Sequence, residues 1–275
     1  LQHVQPRLVT VEVGSDEAVR SYRSSIVRAC ERVGIAHDSL ALDIETNEDH
    51  LRYELIQLNL DPSVSGVLVF MPIPNHLNKN VVLETLSPFK DVDGITPSSQ
   101  GRLRLDLPGL RPSCPLGGIE ILDYYGIQLN GADALVVGRS PVVGGPLASM
   151  LLHRNATVTI AHRHTGALAS HSRRASLIAL AAGSPMLLTN DMVSESAVVL
   201  DFGTNVVEGT LTGDADRAAL EGYVAALSPV PGGTGPVTAT VLARNVLFAA
   251  IANATGTLDD LPRAGTTLTT AAIAD

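Results

Sequence analysis

The sequence predicts an α/β protein of two domains, each built on a parallel sheet with covering helices. Three observations carry that expectation. Short β-branched runs alternate with helical stretches along both halves of the chain, the repeat of a parallel sheet. A Pro- and Gly-rich stretch, residues 96–118, separates the halves and marks a junction. The second half is entered by residues 135–146, Leu-Val-Val-Gly-Arg-Ser-Pro-Val-Val-Gly-Gly-Pro, which read as strand, glycine loop and helix. Such a turn brings backbone N–H groups and a helix N-terminus up to a diphosphate. Its glycine spacing is not GxGxxG, so an ordinary βα turn fits the loop taken alone equally well.

In chain order, residues 8–13 alternate with β-branched residues and predict a strand ending at Gly14. Residues 16–33 place Ala18, Tyr22, Ile26, Ala29 and Val33 near helical spacing, with Gly34 as the stop. Residues 39–43 predict a second strand. Thr46, followed by acidic residues, opens a helix over 48–59. Residues 66–71 form a buried strand ended by Pro72-Ile-Pro74, and a helix follows near 78–86. Lys90-Asp-Val-Asp-Gly94 is then a charged loop. Beyond the junction, a helix over 117–126, strands at 134–137, 157–161, 177–182 and 198–202, and a long apolar helix over 237–254 complete the pattern. The tail after Gly256 has little periodicity and is expected to be poorly ordered.

The composition bounds the function. The chain has 275 residues, 45% of them hydrophobic, enough for a sizeable core. A net charge of −9 argues against nucleic acid as a partner. No run of 18 apolar residues occurs and the start shows no signal-peptide core, so neither a membrane span nor a membrane partner is expected. Cys30 and Cys114 are too few for a disulfide framework or a thiolate metal site, and a reducing cytoplasmic compartment is the expectation. His162 and His164 lack a third ligand, so no metal is expected. The only lysines are Lys79 and Lys90.

Three clusters carry candidate chemistry. Arg163 follows a strand 19 residues after Gly144, where an NAD site usually has an acidic residue for the ribose. A base there suits a 2′-phosphate, and Arg139 inside the glycine loop adds a second charge, so NADP is favoured over NAD; solvated surface arginines are the plainer alternative. The stretch Ser228-Pro-Val-Pro-Gly-Gly-Thr-Gly-Pro-Val-Thr238 is a rigid loop whose backbone at Pro231, Gly232 and Gly233 can approach a ligand, or an interdomain hinge. Thr238 then stands near the start of the last helix, where hydroxyl and dipole can meet an anion. Asp91 and Asp93 stand two apart, a pair able to do acid–base work or to clamp ring N–H groups, or simply a solvated loop.

Together these pieces resemble the bifunctional methylenetetrahydrofolate dehydrogenase/cyclohydrolase family. The likeness is carried by Val13-Gly14 through Tyr22, Met71-Pro-Ile-Pro74, Lys90-Asp-Val-Asp-Gly94, Gly138-Arg-Ser-Pro-Val-Val-Gly144 with Pro146, Asp201-Phe-Gly-Thr-Asn205 and Pro229-Val-Pro-Gly-Gly-Thr-Gly-Pro236, and spans nearly all of residues 8–254. The resemblance implies a tetrahydrofolate-type substrate on a first domain, residues 1–112 with 237–275. It implies NADP on a Rossmann-type second domain, residues 113–236, with a cleft between the two. It also implies that the last helix returns to the first domain and that the enzyme is a homodimer. Family members begin with a helix before the first strand, of which this chain has little. Substrate is then expected at Tyr22, Ile26, Phe70, Asp93 and Pro231–Gly233, with Tyr22 and Asp93 catalytic. NADP is expected at Gly138, Arg139, Ser140, Val143, Gly144, Arg163, Thr165, Thr204 and Thr238.

The departures matter as much. The family's first helix carries Tyr-x-x-x-Lys; here Tyr22 is followed four residues on by Ile26. The family's third strand ends Gln-Leu-Pro-Leu-Pro; here Phe70 stands in the Gln position. The family's Pro-Cys-Thr-Pro is Pro112-Ser-Cys-Pro115 here. Isoleucine cannot transfer the proton that opens a methenyl ring, so the expectation is a dehydrogenase with cyclohydrolase activity lost. A one-carbon transfer or reduction on an acceptor of a specialised pathway, or a non-catalytic folate- or nucleotide-binding paralogue, remains the alternative.

Overall fold

The computed structural model describes residues 5–14 and 17–263. The chain divides into two compact units, one of Leu1–Ser113 with Ala239–Pro262 and one containing Cys114–Thr238.

The first unit runs β1 (Arg7–Val13), α1 (Glu17–Arg32), β2 (Ala36–Leu42), α2 (Glu48–Leu60), β3 (Gly66–Val69), α3 (Asn80–Thr85) and α4 (Pro97–Arg104). Its three strands lie in the order β2-β1-β3, all parallel. Central β1 is buried on both faces through Leu8, Val9, Thr10 and Val11, which explains why it read as an apolar run. Edge strand β2 begins three residues before the expected 39–43. Its first turn of chain is polar: His37 meets the Thr10 hydroxyl at 3.0 Å and Asp38 the Arg7 guanidinium at 2.6 Å, pairings that an apolar pattern does not reveal. α2 is capped by Asn47, whose side chain accepts from His50 N at 2.9 Å, not by the expected Thr46, which is buried with its carbonyl on the His76 ring. β3 stops at Val69, short of the expected 71, and the Met71–Pro72 peptide is cis.

The stretch expected to be only a junction holds α4. Pro97 occupies its first turn, where the missing N–H costs nothing, and Thr96 caps it by accepting from Ser99 N. The charged Lys90–Gly94 loop is largely inside the fold: Lys90, Asp91 and Val92 are buried.

The second unit contains α5 (Ser113–Tyr124), β4 (Asp133–Val137), α6 (Gly144–His153), β5 (Thr157–Ala161), α7 (Leu168–Ser172), β6 (Leu177–Leu180), β7 (Val198–Asp201), β8 (Asn205–Val207), β9 (Thr210–Thr212), α8 (Arg217–Leu220) and β10 (Ala226–Leu227). Five strands form a parallel sheet in the order β10-β7-β6-β4-β5. The order reverses beside β4, so the glycine loop that follows β4 leaves from a topological switch point, where open α/β sheets bind ligands. β8 and β9 form a separate antiparallel hairpin that the sequence did not disclose. Its turn residues Glu208 and Gly209 both have positive φ, 50° and 77°, the conformation of a two-residue hairpin turn, but its side chains lack an apolar alternation.

The last helix, α9 (Thr234–Thr255), starts three residues before the expected 237, because Thr234 donates its hydroxyl to the Asp201 carbonyl. Length and composition alone would let α9 cross a membrane. Instead Ala239, Leu242, Ala243, Val246, Ala249 and Ala252 pack into the first unit's core with Leu8, Ile26, Cys30, Leu68 and Phe70. Burial pushes the Cys30 thiol up to about 11, which suits packing and not reactivity. Leu258 and Leu261, in the tail expected to be poorly ordered, are buried in the same core. The rest of that tail, residues 264–275, lies outside the described residues, as do residues 1–4.

Candidate functional site

In the first unit, Tyr22 on α1, Ile26 one turn later and Phe70 at the end of β3 come together. The Tyr22 and Phe70 rings meet edge to face, centroids 6.0 Å apart and planes at 73°. Ile26 is 0% exposed and Phe70 7%. The position four residues after Tyr22 is core: Ile26 shares one cluster with Leu8, Cys30, Phe70, Leu242 and Ala243, and Tyr22 packs against it. At the end of β1, buried Glu12 pairs at 2.8 Å with half-buried Arg23, the residue after Tyr22, an ion pair that no local motif marks.

Asp93 is half-buried. The backbone N–H and hydroxyl of Ser113 both donate to its Oδ1, at 3.1 and 2.5 Å. Burial lifts its carboxyl from the ordinary 3.8 to about 6; the Ser113 bonds oppose the rise and the neighbouring Asp91 charge adds to it. Its sequence companion does a different job. Asp91 is 0% exposed and accepts from Ile95 N, Thr96 N and Ser99 Oγ at 2.7–2.9 Å, holding the start of α4. Lys90 is likewise committed: its ammonium donates to the Leu58 and Asp61 carbonyls at 2.8 and 2.6 Å, closing the C-terminal end of α2, and burial lowers its pKa. So the Asp-x-Asp pair is one structural anchor and one ligand-facing candidate, and the plainer alternative of a solvated loop does not hold for Asp91. Ser113 was visible only as a departure from the family's pattern.

In the second unit, Gly138 has φ +135°, and a Cβ there would stand 2.2 Å from the Ala181 carbonyl oxygen. A Cβ on Gly144 would stand 2.2 Å from the Gly138 oxygen. Only glycine lets the chain turn this tightly from β4 into α6. Ser140 completes the turn: its Oγ accepts from Val143 N and Gly144 N at 3.1 and 3.4 Å, and its carbonyl from Gly145 N. The N–H groups of Gly144 and Gly145, the first of α6, are thus tied to Ser140. Arg139 and Arg163 are both exposed, one in the loop and one just beyond β5. Thr165 closes the turn after β5 by accepting from His162 N at 2.9 Å. Thr204 is exposed beyond β7. Thr238 departs from its expected place: it lies a full turn inside α9, 5% exposed, its hydroxyl donated to the Thr234 carbonyl at 2.9 Å. Pro231 and Gly232 are exposed, and Gly233 packs so closely on the Pro229 carbonyl that a Cβ would stand 2.4 Å away.

Two buried carboxylates that the sequence reading did not assign organise the loops at this end of the sheet. Asp214 accepts from Ala182, Gly183 and Ser184 N–H groups and from the Asn205 amide, at 2.6–3.0 Å. Asp201 accepts from Gly203, Asp214 and Ala215 N–H groups at 2.8–3.0 Å. The Asp-Phe-Gly-Thr-Asn motif was legible; its partner at 214 was not, because the pairing is made across 13 residues by backbone donors. Beside them a cavity of about 230 Å³ is lined by Met186, Asp201, Thr212, Asp216, Ser228 and Val230.

A parallel-sheet unit with a glycine turn at its switch point, joined in sequence to a second parallel-sheet unit that carries a half-buried carboxyl and an aromatic pair, fits the class of two-domain α/β dehydrogenases. Comparison with known proteins narrows the class. Residues 1–93 match the tetrahydrofolate dehydrogenase/cyclohydrolase catalytic domain, and residues 112–254 match the NAD(P)-binding domain of the same family. The bifunctional protein FolD of Francisella tularensis subsp. novicida (strain U112) is 46% identical over 243 residues, 88% of this chain and 86% of that one. Among solved structures, the bifunctional FolD methylenetetrahydrofolate dehydrogenase/cyclohydrolase of Campylobacter jejuni superposes with TM-score 0.88 at 38% identity, covering 91% of this chain and 89% of that one. The Trypanosoma brucei enzyme, solved with NADP cofactor and an inhibitor, superposes with TM-score 0.85 at 30% identity, covering 90% and 86%. The chain belongs to the tetrahydrofolate dehydrogenase/cyclohydrolase family and carries that family's catalytic and NAD(P)-binding domains.

Proposed function

We propose that this chain oxidises a 5,10-methylenetetrahydrofolate-type substrate with NADP and releases the methenyl product unhydrolysed. The first half follows from family membership and from what its relatives are described as doing. The second half is a departure from those bifunctional relatives, and one observation supports it: Ile26, 0% exposed, and Phe70 share one apolar core cluster, and neither side chain can donate or accept a proton. Neither lysine of the chain substitutes, since Lys90 is committed to α2 and Lys79 precedes α3.

The chemistry asks little of side chains. The substrate's own nitrogen lone pair expels a hydride from the methylene carbon, leaving a methenyl cation, and no proton need move. When bound, NADP supplies the hydride acceptor. The tight Gly138–Gly144 turn and its flanking Arg139 fit a diphosphate with a 2′-phosphate nearby, and Arg163 beyond β5 adds a second cation there. Ser140, Val143 and Gly144 hold the turn, Thr165 and Thr204 stand on the loops after β5 and β7, and Thr238 steadies the start of α9. Asp93, ionised above pH about 6, accepts N–H groups of the pterin ring, with Ser113 fixing its other oxygen. Tyr22 and Phe70 offer the reacting carbon an apolar, water-poor wall. Residues 1–112 with 237–275 are on this reading the folate domain, and 113–236 the NADP domain. The β8–β9 hairpin, with Val206 72% and Leu211 41% exposed, supports a homodimer. Incubation with methylenetetrahydrofolate and NADP tests the reading: NADPH and methenyl product should rise together, and absence of NADPH would overturn it.

A further inference from the structure

The loop bearing Asp93 is held from three sides. Lys90 ties its start to α2 and Asp91 ties it to α4. The third hold comes from α9. Asn245 is 1% exposed, next to Val246 and three residues after Leu242, both of the core. Its side-chain amide donates to the carbonyls of Val92 and Arg111, both at 2.8 Å. Val92 immediately precedes Asp93. Arg111 stands two residues before Ser113, whose N–H and hydroxyl are the donors on Asp93 Oδ1. One amide therefore spans the two segments that meet at the carboxylate.

We propose that Asn245 is a positioning residue for Asp93: by fixing the distance between the Val92 and Arg111 carbonyls it sets the Ser113–Asp93 contact and the direction in which Asp93 Oδ2 meets the substrate. This rests on the reading of Asp93 as the carboxylate that holds folate. A leucine of similar size at position 245 would fill the space and donate nothing, leaving both carbonyls without this donor. A second asparagine on the same helix provides a matched control. Asn253 donates to the Ser65 and Phe89 carbonyls at 3.0 and 3.3 Å, latching α9 to the same unit with no bond to either segment that meets at Asp93, Phe89 standing four residues before it.

The test uses the full chain and compares N245L, the isosteric N245D, N253L and D93N. Steady-state KM and kcat are measured for methylenetetrahydrofolate and for NADP, and Kd for tetrahydrofolate alone by calorimetry. N245L should raise folate KM and Kd about tenfold while NADP KM stays within about twofold, the effect of misaligning one charge-assisted hydrogen bond. N245D, which when ionised cannot donate, should behave alike and carries the comparison if N245L does not fold. N253L should lose thermal stability with folate KM unchanged. Folate and NADP constants worsening together in N245L, or the same folate effect in N253L, would show a merely structural role and overturn the proposal. So would an unchanged folate Kd in N245L or N245D beside a weakened D93N. An unchanged folate Kd in D93N itself would overturn both this inference and the reading of Asp93 beneath it.

Discussion

Replacing Ile26 by lysine places an ammonium where the present side chain is 0% exposed, among Leu8, Cys30, Leu242 and Phe70. The change removes an apolar burial worth about 1.5–3 kcal/mol. It also leaves a charge with no partner, a cost of about 3–5 kcal/mol when an ion is stranded in a protein interior. The amine lowers that cost by losing its proton, its pKa falling by up to about 3–5 units. I26K alone should therefore be destabilised by about 3–5 kcal/mol, on the order of 10 °C in Tm for a chain of this size, with no gain in hydrolysis. Adding F70Q removes the ring that closes over position 26 and supplies an amide oxygen for the ammonium. The double variant should regain part of the lost stability. It should also hydrolyse methenyltetrahydrofolate about 10²–10⁴-fold faster than the starting protein, the range general acid–base help supplies. The assay is the decay of the methenyl absorbance in purified protein, with thermal unfolding in parallel. Equal stability of I26K and the starting protein, or a double variant with no gain in decay rate, would refute the reasoning.

Three more outcomes follow from the same structure. Because burial raises Asp93 to about 6, the folded state binds a proton the unfolded state has released between pH 4 and 6. Stability relative to D93N should be greatest below pH 4, fall by up to about 3 kcal/mol as pH rises through 6, and change no further above it, a comparison that urea unfolding at several pH values settles. Folate kcat/KM should rise through the same window in the starting protein and be flat in D93N. R139A and R163A should each weaken NADP about tenfold while leaving NAD within about twofold, as measured by KM for the two dinucleotides; equal losses for both would remove the 2′-phosphate assignment. V206D with L211D on the β8–β9 hairpin should yield a monomer by sedimentation if the hairpin joins two copies, and an unchanged mass would exclude that surface.

Legibility in the sequence followed burial. β1, β4, β6 and β7 are buried strands of parallel sheets, so their apolar runs placed them within a few residues. β2 was cut short because its first residues are polar pairs on a sheet edge. α4 was hidden by the Pro and Gly around it, although Thr96 and Pro97 are a helix start signal. In the site, Tyr22, Ile26, Phe70 and Asp93 could be singled out from local motifs and their departures. The residues that hold them could not. Asn245 reaches Val92 across 153 positions and Ser113 reaches Asp93 across 20, and nothing local distinguishes an asparagine that clamps two carbonyls from one that does not. The glycine loop was legible as a turn, whereas Ser140's hold on the first N–H groups of α6 was not.

The proposal that the methenyl product leaves unhydrolysed is tested most directly by following methenyl and formyl products together during NADP-dependent turnover of methylenetetrahydrofolate. The account predicts methenyltetrahydrofolate accumulating in step with NADPH and decaying only at the rate seen in buffer. Formyltetrahydrofolate appearing in step with NADPH would contradict it.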